Sequence, residues 1–330
     1  MKKIFSIFIL LILLTGLGSS ALPPTRQYWY TYDGGVPCAR ARAMGGAYVA
    51  VAKGPESIYW NPAGLYFVKG NVLSATFDIS RTGQESWSKI MENDSLKGKS
   101  LNYIAFCSNQ AGISYRPIAD YKNLTASGNT LDVRLSEYSL SASSLSEDNL
   151  IMGLNFNYFH GYMGETKIVQ QGSEALVGSG NGWSIDWGFL MYNEKSPFVF
   201  GAVVQNGPGY IYWQNYDTDI LPCVLKLGAA AVPAKGGIIA FDYERRYYKE
   251  RDDLVLFHTG YEQYVSKILA LRIGMYGEDL GKSDEVIYTA GLGYLYNKYI
   301  IDLAYEKYPI DTADENNQVY RIITSISVEF

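Results

Sequence analysis

Residues 183–191 read Trp-Ser-Ile-Asp-Trp-Gly-Phe-Leu-Met. In an extended chain successive side chains point to opposite faces. Trp183, Ile185, Trp187, Phe189 and Met191 therefore share one face, while Ser184, Asp186 and Gly188 share the other. The stretch 150–158 repeats the pattern, with Leu150, Met152, Leu154, Phe156 and Tyr158 set against Gly153, Asn155 and Asn157. One face suits lipid and the other suits a filled or wet interior, which is the alternation of a membrane β-barrel strand.

Outward from these two segments, the chain from Val72 to Phe330 is a series of runs near ten residues long, each ending in turn residues. Strands are predicted to begin near Val72, Leu101, Ala111, Leu131, Asn149, Trp183, Phe198, Val224, Gly237, Leu254, Leu269, Val286, Tyr299 and Val319. That makes about fourteen, an even number as a single-chain bacterial barrel requires. The connections alternate in length. Long ones are expected around 82–99, 117–130, 163–181, 206–221, 245–253, 277–285 and 309–317, and short ones around 108–110, 145–148, 193–197, 233–235, 266–268 and 296–298. Short periplasmic turns and long extracellular loops are the rule in outer-membrane barrels, so both termini are expected in the periplasm of a bacterium with two membranes. The last strand carries Tyr320, Ile322, Thr324, Ile326, Val328 and the terminal Phe330 on one face, and Arg321, Ser325, Ser327 and Glu329 on the other, with Ile323 as the one breach. Such an ending resembles the signal read by the outer-membrane assembly machinery.

The N-terminus explains how the chain would reach that membrane. Lys2 and Lys3 precede an apolar run from Ile4 to Leu14 and the small-residue site Ser19-Ser20-Ala21, so residues 1–21 read as a secretory signal peptide. No later segment offers the roughly 18 continuous apolar residues of a membrane helix, so any membrane crossing must be made by strands. Composition agrees, with 29 Tyr, 33 Gly and only 18% charged residues. Interfacial tyrosines and closely packed strands are what such a barrel uses. The net charge of −5 argues against nucleic acid as a partner. Cys38, Cys107 and Cys223 are odd in number and widely spaced, and read as small apolar residues with no disulfide framework.

Residues 22–70 do not alternate. They hold Arg40, Arg42, Gly45-Gly46, a small-residue run from Ala47 to Ala52, and the sequence Pro55 to Leu65. Pro55 suits the first turn of a short helix, and Asn61-Pro62 and Gly64 are stop signals. The expected product is a compact plug of short helices and tight turns, followed by the barrel at 71–330. Here the chain resembles known proteins. Residues 41–65, ARAMGGAYVAVAKGPESIYWNPAGL, are similar to the N-terminal motif of the PorV/PorQ family and, more distantly, to the plug of FadL-type long-chain fatty-acid transporters, where an Asn-Pro-Ala element recurs. Residues 206–230 and 258–275 resemble PorV/PorQ proteins more than FadL. The resemblance implies a fourteen-stranded barrel with its N-terminal segment inside as a hatch, and a role either in uptake of hydrophobic molecules or in a type IX secretion system.

Three groups of residues are candidates for function. Asn61, Pro62, Ala63 and Gly64 could form a gate, or could simply fix a buried turn. Tyr210, Tyr212, Trp213 and Tyr216 crowd one expected loop, where exposed rings would meet a ligand or a protein partner and buried ones would only pack. Asp186, Lys226, Glu262 and Arg272 fall on inward faces, as do Asp242 and Asp302, and such charges either line a path or hold a plug that carries Arg40, Arg42 and Glu56. The polar-face positions Asn155 and Asp186 are expected to tolerate Arg, whereas Leu154 and Trp187 on the lipid face are not. His160 and His258 lie in no serine motif and no metal-ligand spacing, so neither catalysis, a metal nor a cofactor is expected. Residues 277–283, GEDLGKS, are one residue short of a phosphate-binding loop. A passive channel for hydrophobic small molecules is thus the first reading, a receiver or anchor for secreted proteins the second, and a membrane-embedded hydrolase the remote third.

Overall fold

The computed structural model describes residues 37–82, 99–126, 129–147, 149–169, 172–233, 236–248, 252–282, 286–308 and 319–330. The segment 1–21, expected to be a signal peptide, and residues 22–36, expected to open the plug, lie outside these. Among the described residues no helix is long and apolar enough to cross a membrane. The described residues are mostly strands.

The strands run in chain order as β1 (Asn71–Thr82), β2 (Lys99–Ser108), β3 (Ala111–Ala126), β4 (Asn129–Glu147), β5 (Leu150–Val169) and β6 (Gly172–Met191). There follow β7 (Phe198–Gln205), β8 (Gly209–Trp213), β9 (Asp219–Ile220), β10 (Cys223–Ala231) and β11 (Gly237–Tyr247). The last five are β12 (Leu254–Tyr264), β13 (Leu269–Gly277), β14 (Ile287–Tyr296), β15 (Tyr299–Tyr308) and β16 (Val319–Glu329). Each pairs antiparallel with its neighbours, and β1 pairs with β16 to close the ring. Both β7 and β8 pair with β6, so they are two pieces of one wall strand interrupted at Asn206–Pro208. The wall strand after it is likewise divided into β9 and β10. The barrel therefore has fourteen walls.

Alternation is kept throughout. Ser184, Asp186, Gly188 and Leu190 are buried inside while Trp183, Ile185, Trp187 and Phe189 lie half-buried on the outside. Leu154, Phe156, Ile273 and Leu292 are exposed to the surroundings, as an apolar outer belt requires. Tyr294, Tyr296 and Tyr299 stand exposed at the short-turn end, and Tyr162, Tyr212 and Tyr288 toward the other, giving the two aromatic girdles. Short turns are made by residues that accept positive φ: Asn109 and Gln110 stand at 45° and 75° in the two-residue β2–β3 link, and Asn297 at 53° in the β14–β15 link.

Three expectations need correction. The segments 117–130 and 163–181 are not long loops, because β3, β4, β5 and β6 continue as two extended hairpins. Gly178, Gly180 and Gly182 look like turn residues, but they are strand positions that leave room for neighbouring rings: a Cβ on Gly178 would lie 3.2 Å from Tyr216, and one on Gly180 or Gly182 would overlap Trp213 or Ile211. Nor are residues 209–213 a loop. They form β8, which pairs with Gly180–Ser184. Finally, Asn155 and Asp186 are not free lumen positions, as their expected tolerance of Arg required, because both are buried and engaged in hydrogen bonds. Asn155 donates from Nδ2 to the plug carbonyl of Ile58 at 2.5 Å and to Asp186 at 3.0 Å. The breach at Ile323 has the same origin, since its side chain packs with Ala39, Ala43 and Ala304 under the plug.

Candidate functional site

The plug begins with α1 (Ala39–Ala43), continues through tight turns, and ends with α2 (Ser57–Trp60) and a 3₁₀ helix at Pro62–Phe67. It sits in the barrel because the wall supplies glycines where the plug backbone arrives. A Cβ on Gly201 would lie 2.7 Å from the Val49 carbonyl oxygen, and one on Gly228 2.8 Å from Val49 Cβ. Added to Gly260 or Gly274 it would meet the backbone of Met44 and Gly45, and added to Gly153 that of Pro62 and Ala63. Real Cβ atoms do not approach so closely, so each glycine marks a place where strand and plug backbones touch.

Charged and polar side chains of the wall hold what the glycines admit. Arg40 makes two hydrogen bonds to Glu262, each of 2.8 Å. Arg272 stands opposite Glu262 on the neighbouring strand and donates to it at 2.6 Å and to Asp302 at 2.6 Å. Asp242 accepts the backbone N–H groups of Tyr48 and Val49 at 2.6 and 2.8 Å. His258 Nδ1 lies 2.8 Å from the Gly45 carbonyl oxygen, which can only accept, so this nitrogen carries the hydrogen. Arg42 reaches Glu306 at 3.5 Å, and Glu56 accepts from the Tyr48 hydroxyl at 3.1 Å.

Asn61 ends α2 in an extended conformation and starts the 3₁₀ helix, its side chain accepting from Ala63 N–H at 3.1 Å. Its amide also donates to the carbonyls of Val49 (2.9 Å) and Phe189 (3.1 Å), tying two plug segments to β6. Asn61, Pro62, Ala63 and Gly64 are all buried, and a Cβ on Gly64 would overlap the Ala52 carbonyl. The element is a buried turn, hydrogen-bonded to both plug and wall.

Beyond the plug, toward the long-connection end, lies a cavity of about 110 Å³. Tyr59 projects into its lining from α2, and the wall contributes Arg116, Glu137, Asn157, Asp186, Lys226 and Glu244 among others. Every cation there has a carboxylate: Arg116 with Glu137 at 2.7 Å, Lys226 with Glu244 at 3.2 Å, and Arg246 with Glu244 at 2.6 Å. Asp186 accepts from Asn155, Asn157 and the backbone of Asn206 at 2.8 to 3.0 Å. Farther out, the inner faces of β3, β4, β5 and β8 press together in an apolar core of Ile118, Val133, Leu135, Phe159, Ile211 and Trp213.

The sequence candidates are thus divided among three places. Glu262 and Arg272 hold the plug, Asp186 and Lys226 line the cavity, and Trp213 is buried in the outer core with its indole N–H donating to Asp219 at 2.7 Å. Tyr212, next to Trp213, points outward and is 52% exposed, while Tyr210 and Tyr216 are intermediate. The rings therefore do not act as one loop surface, because strand alternation separates them. Arg116, Glu137, Tyr59 and Glu244 were missed. Glu244 shares the inward phase of Asp242, and Glu137 lies inside the strand predicted from Leu131, so both were legible by period two; Arg116 borders a segment read as loop, and Tyr59 sits in a plug with no period to read. Among the described residues no cluster of His, Cys, Asp and Glu could hold a metal ion.

No family model matches the chain, and no curated protein matches it. Solved structures do. The toluene transporter TodX of P. putida is similar over 90% of this chain and 98% of its own, at 14% identity and a TM-score of 0.60. TbuX, the toluene transporter of Ralstonia pickettii, covers the same shares at 15% identity and a TM-score of 0.60. A FadL homologue of Pseudomonas aeruginosa covers 94% of this chain and 99% of its own, at 10% identity and a TM-score of 0.61. At such identities the likeness establishes the fold: this chain has the closed fourteen-stranded architecture of the FadL-type barrels, with a few short helices at its N-terminus.

Proposed function

We propose that this chain is a passive outer-membrane channel for small hydrophobic molecules. The observation that supports it best is the position of the cavity: inside a closed barrel, between a seated plug and an apolar core toward the opposite end. A molecule arriving from the apolar core at Ile118 and Trp213 would next meet the cavity and then Tyr59 at the tip of α2. Cavity volume sets the scale of the passenger. About 110 Å³ is close to the roughly 150 Å³ of an engineered cavity that takes benzene, and well below a drug-sized site. A single ring or a comparable short hydrocarbon fits, without the plug leaving the barrel.

The reading is tested by uptake in a diderm host that lacks its own hydrophobic-solute channels. Cells expressing the chain are expected to take up radiolabelled toluene several-fold faster than cells with empty vector. Val224 is buried and borders the cavity, so Val224→Trp should fill it. Uptake by that variant is expected to fall to the vector level while heat-modifiable gel mobility shows that the barrel still assembles. Vector-level uptake by well-assembled parent protein would contradict the proposal.

A further inference from the structure

The cavity has a mixed lining, with polar and charged groups beside Ile58, Ile118 and Val224. Its recognisable feature is an alternation of cations and rings. The Arg116 guanidinium lies 4.7 Å from the centroid of the Tyr59 ring, and Lys226 Nζ lies 5.2 Å from the same ring and 5.1 Å from that of Trp60. A cation within about 6 Å of a ring centroid is attracted by the negative π face, and more strongly when water is excluded. Both cations are already neutralised by Glu137 and Glu244, so the cavity does not call for an anion. What it presents to an incoming molecule is positive charge directed at a π face, a place that Tyr59 now fills.

A second feature is independent of the first. Asn157 is buried and lines the cavity; its Nδ2 donates to Ser184 at 3.0 Å and to Asp186 at 2.8 Å, but its Oδ1 has no donor. A buried carbonyl oxygen without a donor costs free energy until one arrives. The cavity therefore offers ring recognition and, buried within one residue of its lining, an acceptor without a partner that a donor would reach as the ring takes the place of Tyr59.

From these two features we infer that the cavity is a binding site for a single-ring aromatic molecule bearing a hydrogen-bond donor, the chemistry of a phenol, with Tyr59 as its internal stand-in. The ring would take the place of the Tyr59 side chain beside Arg116 and Lys226, and the hydroxyl would donate to Asn157 Oδ1. As a statement about the passenger this rests on the channel reading. As a statement about binding it stands alone.

The test is equilibrium dialysis of radiolabelled phenol, cyclohexanol and toluene against the full barrel in nanodiscs, with empty nanodiscs measuring partition into lipid. Cyclohexanol has the donor without the π face, and toluene has the π face without the donor. Phenol is expected to bind about 5- to 10-fold more tightly than either, the size of one cation–π contact or one buried hydrogen bond. Tyr59→Leu removes the stand-in and should tighten phenol binding about 3-fold or more. A purely structural role for Tyr59 would leave it unchanged or weaken it. Arg116→Gln combined with Glu137→Gln removes the ion pair without orphaning a charge, and should bring phenol down to cyclohexanol. Equal binding of the three probes, binding no better than to empty nanodiscs, or an unaltered Tyr59→Leu would overturn the inference. Toluene uptake by cells without phenol preference in nanodiscs would refute this site alone, and phenol preference without toluene uptake would refute the channel reading alone.

Discussion

Replacing Glu262 with leucine is expected to destabilise the folded barrel by about 3 to 5 kcal/mol, the usual consequence of removing one member of a buried ionic network. Glu262 has no exposed surface and receives both Arg40 from the plug and Arg272 from the adjacent strand. Without it Arg272 keeps Asp302, but the Arg40 guanidinium loses both of its carboxylate hydrogen bonds. Urea titration of the heat-modifiable band measures the loss, and trypsin cleavage after Arg40 reports whether the plug has come away. The exposed pair Lys282–Asp279, 3.9 Å apart, is the control, and Asp279→Ala should change stability by less than about 0.5 kcal/mol. A Glu262→Leu protein as stable as the parent would show that the network does not hold the plug.

Alanine at Gly153 and Gly274 together is expected to unseat the plug. Each site alone faces plug backbone, which cannot swing aside like a flexible side chain, and overpacking of this kind costs about 1 to 3 kcal/mol. The two glycines lie on β5 and β13, nearly across the barrel from each other in the strand order. A plug that shifts away from one new methyl group moves toward the other, so the double variant should lose more than the sum of the single losses. Gly237→Ala is the matched control, because the nearest atom to its added carbon would be the end of the Gln263 side chain at 3.1 Å, with no backbone in the way. Simple additivity in thermal midpoints would mean that the plug yields locally at each contact.

Much of the wall was legible because strand burial has a period of two, and a lipid-facing side that breaks the pattern is costly. Trp187 and Leu154 show this, and so does the pairing of Glu262 with Arg272 across a short turn. Ile323 broke the pattern for a reason that only the third dimension supplies, the arrival of Ala39 and Ala43 from the other end of the chain. Beyond the lipid belt the rule weakens. Strands β5 and β6 continue to Val169 and from Gly172, but there glycine serves Trp213 and Tyr216 as space and reads as a turn. The cavity was half legible. Asp186 and Lys226 follow from alternation, whereas Tyr59 and Arg116 meet only after a plug without periodicity is folded into the barrel.

The central claim is that a small hydrophobic molecule occupies the cavity inside this barrel. Its most direct test is diffraction from crystals of the full chain soaked with bromobenzene, recorded at the bromine absorption edge. The account predicts an anomalous peak among Tyr59, Arg116 and Lys226, lost in crystals of Val224→Trp. The outer wall carries an apolar groove of its own, about 540 Å³, beside Ile104, Phe106 and Leu140, and bromine found there while the interior stays empty would contradict the claim.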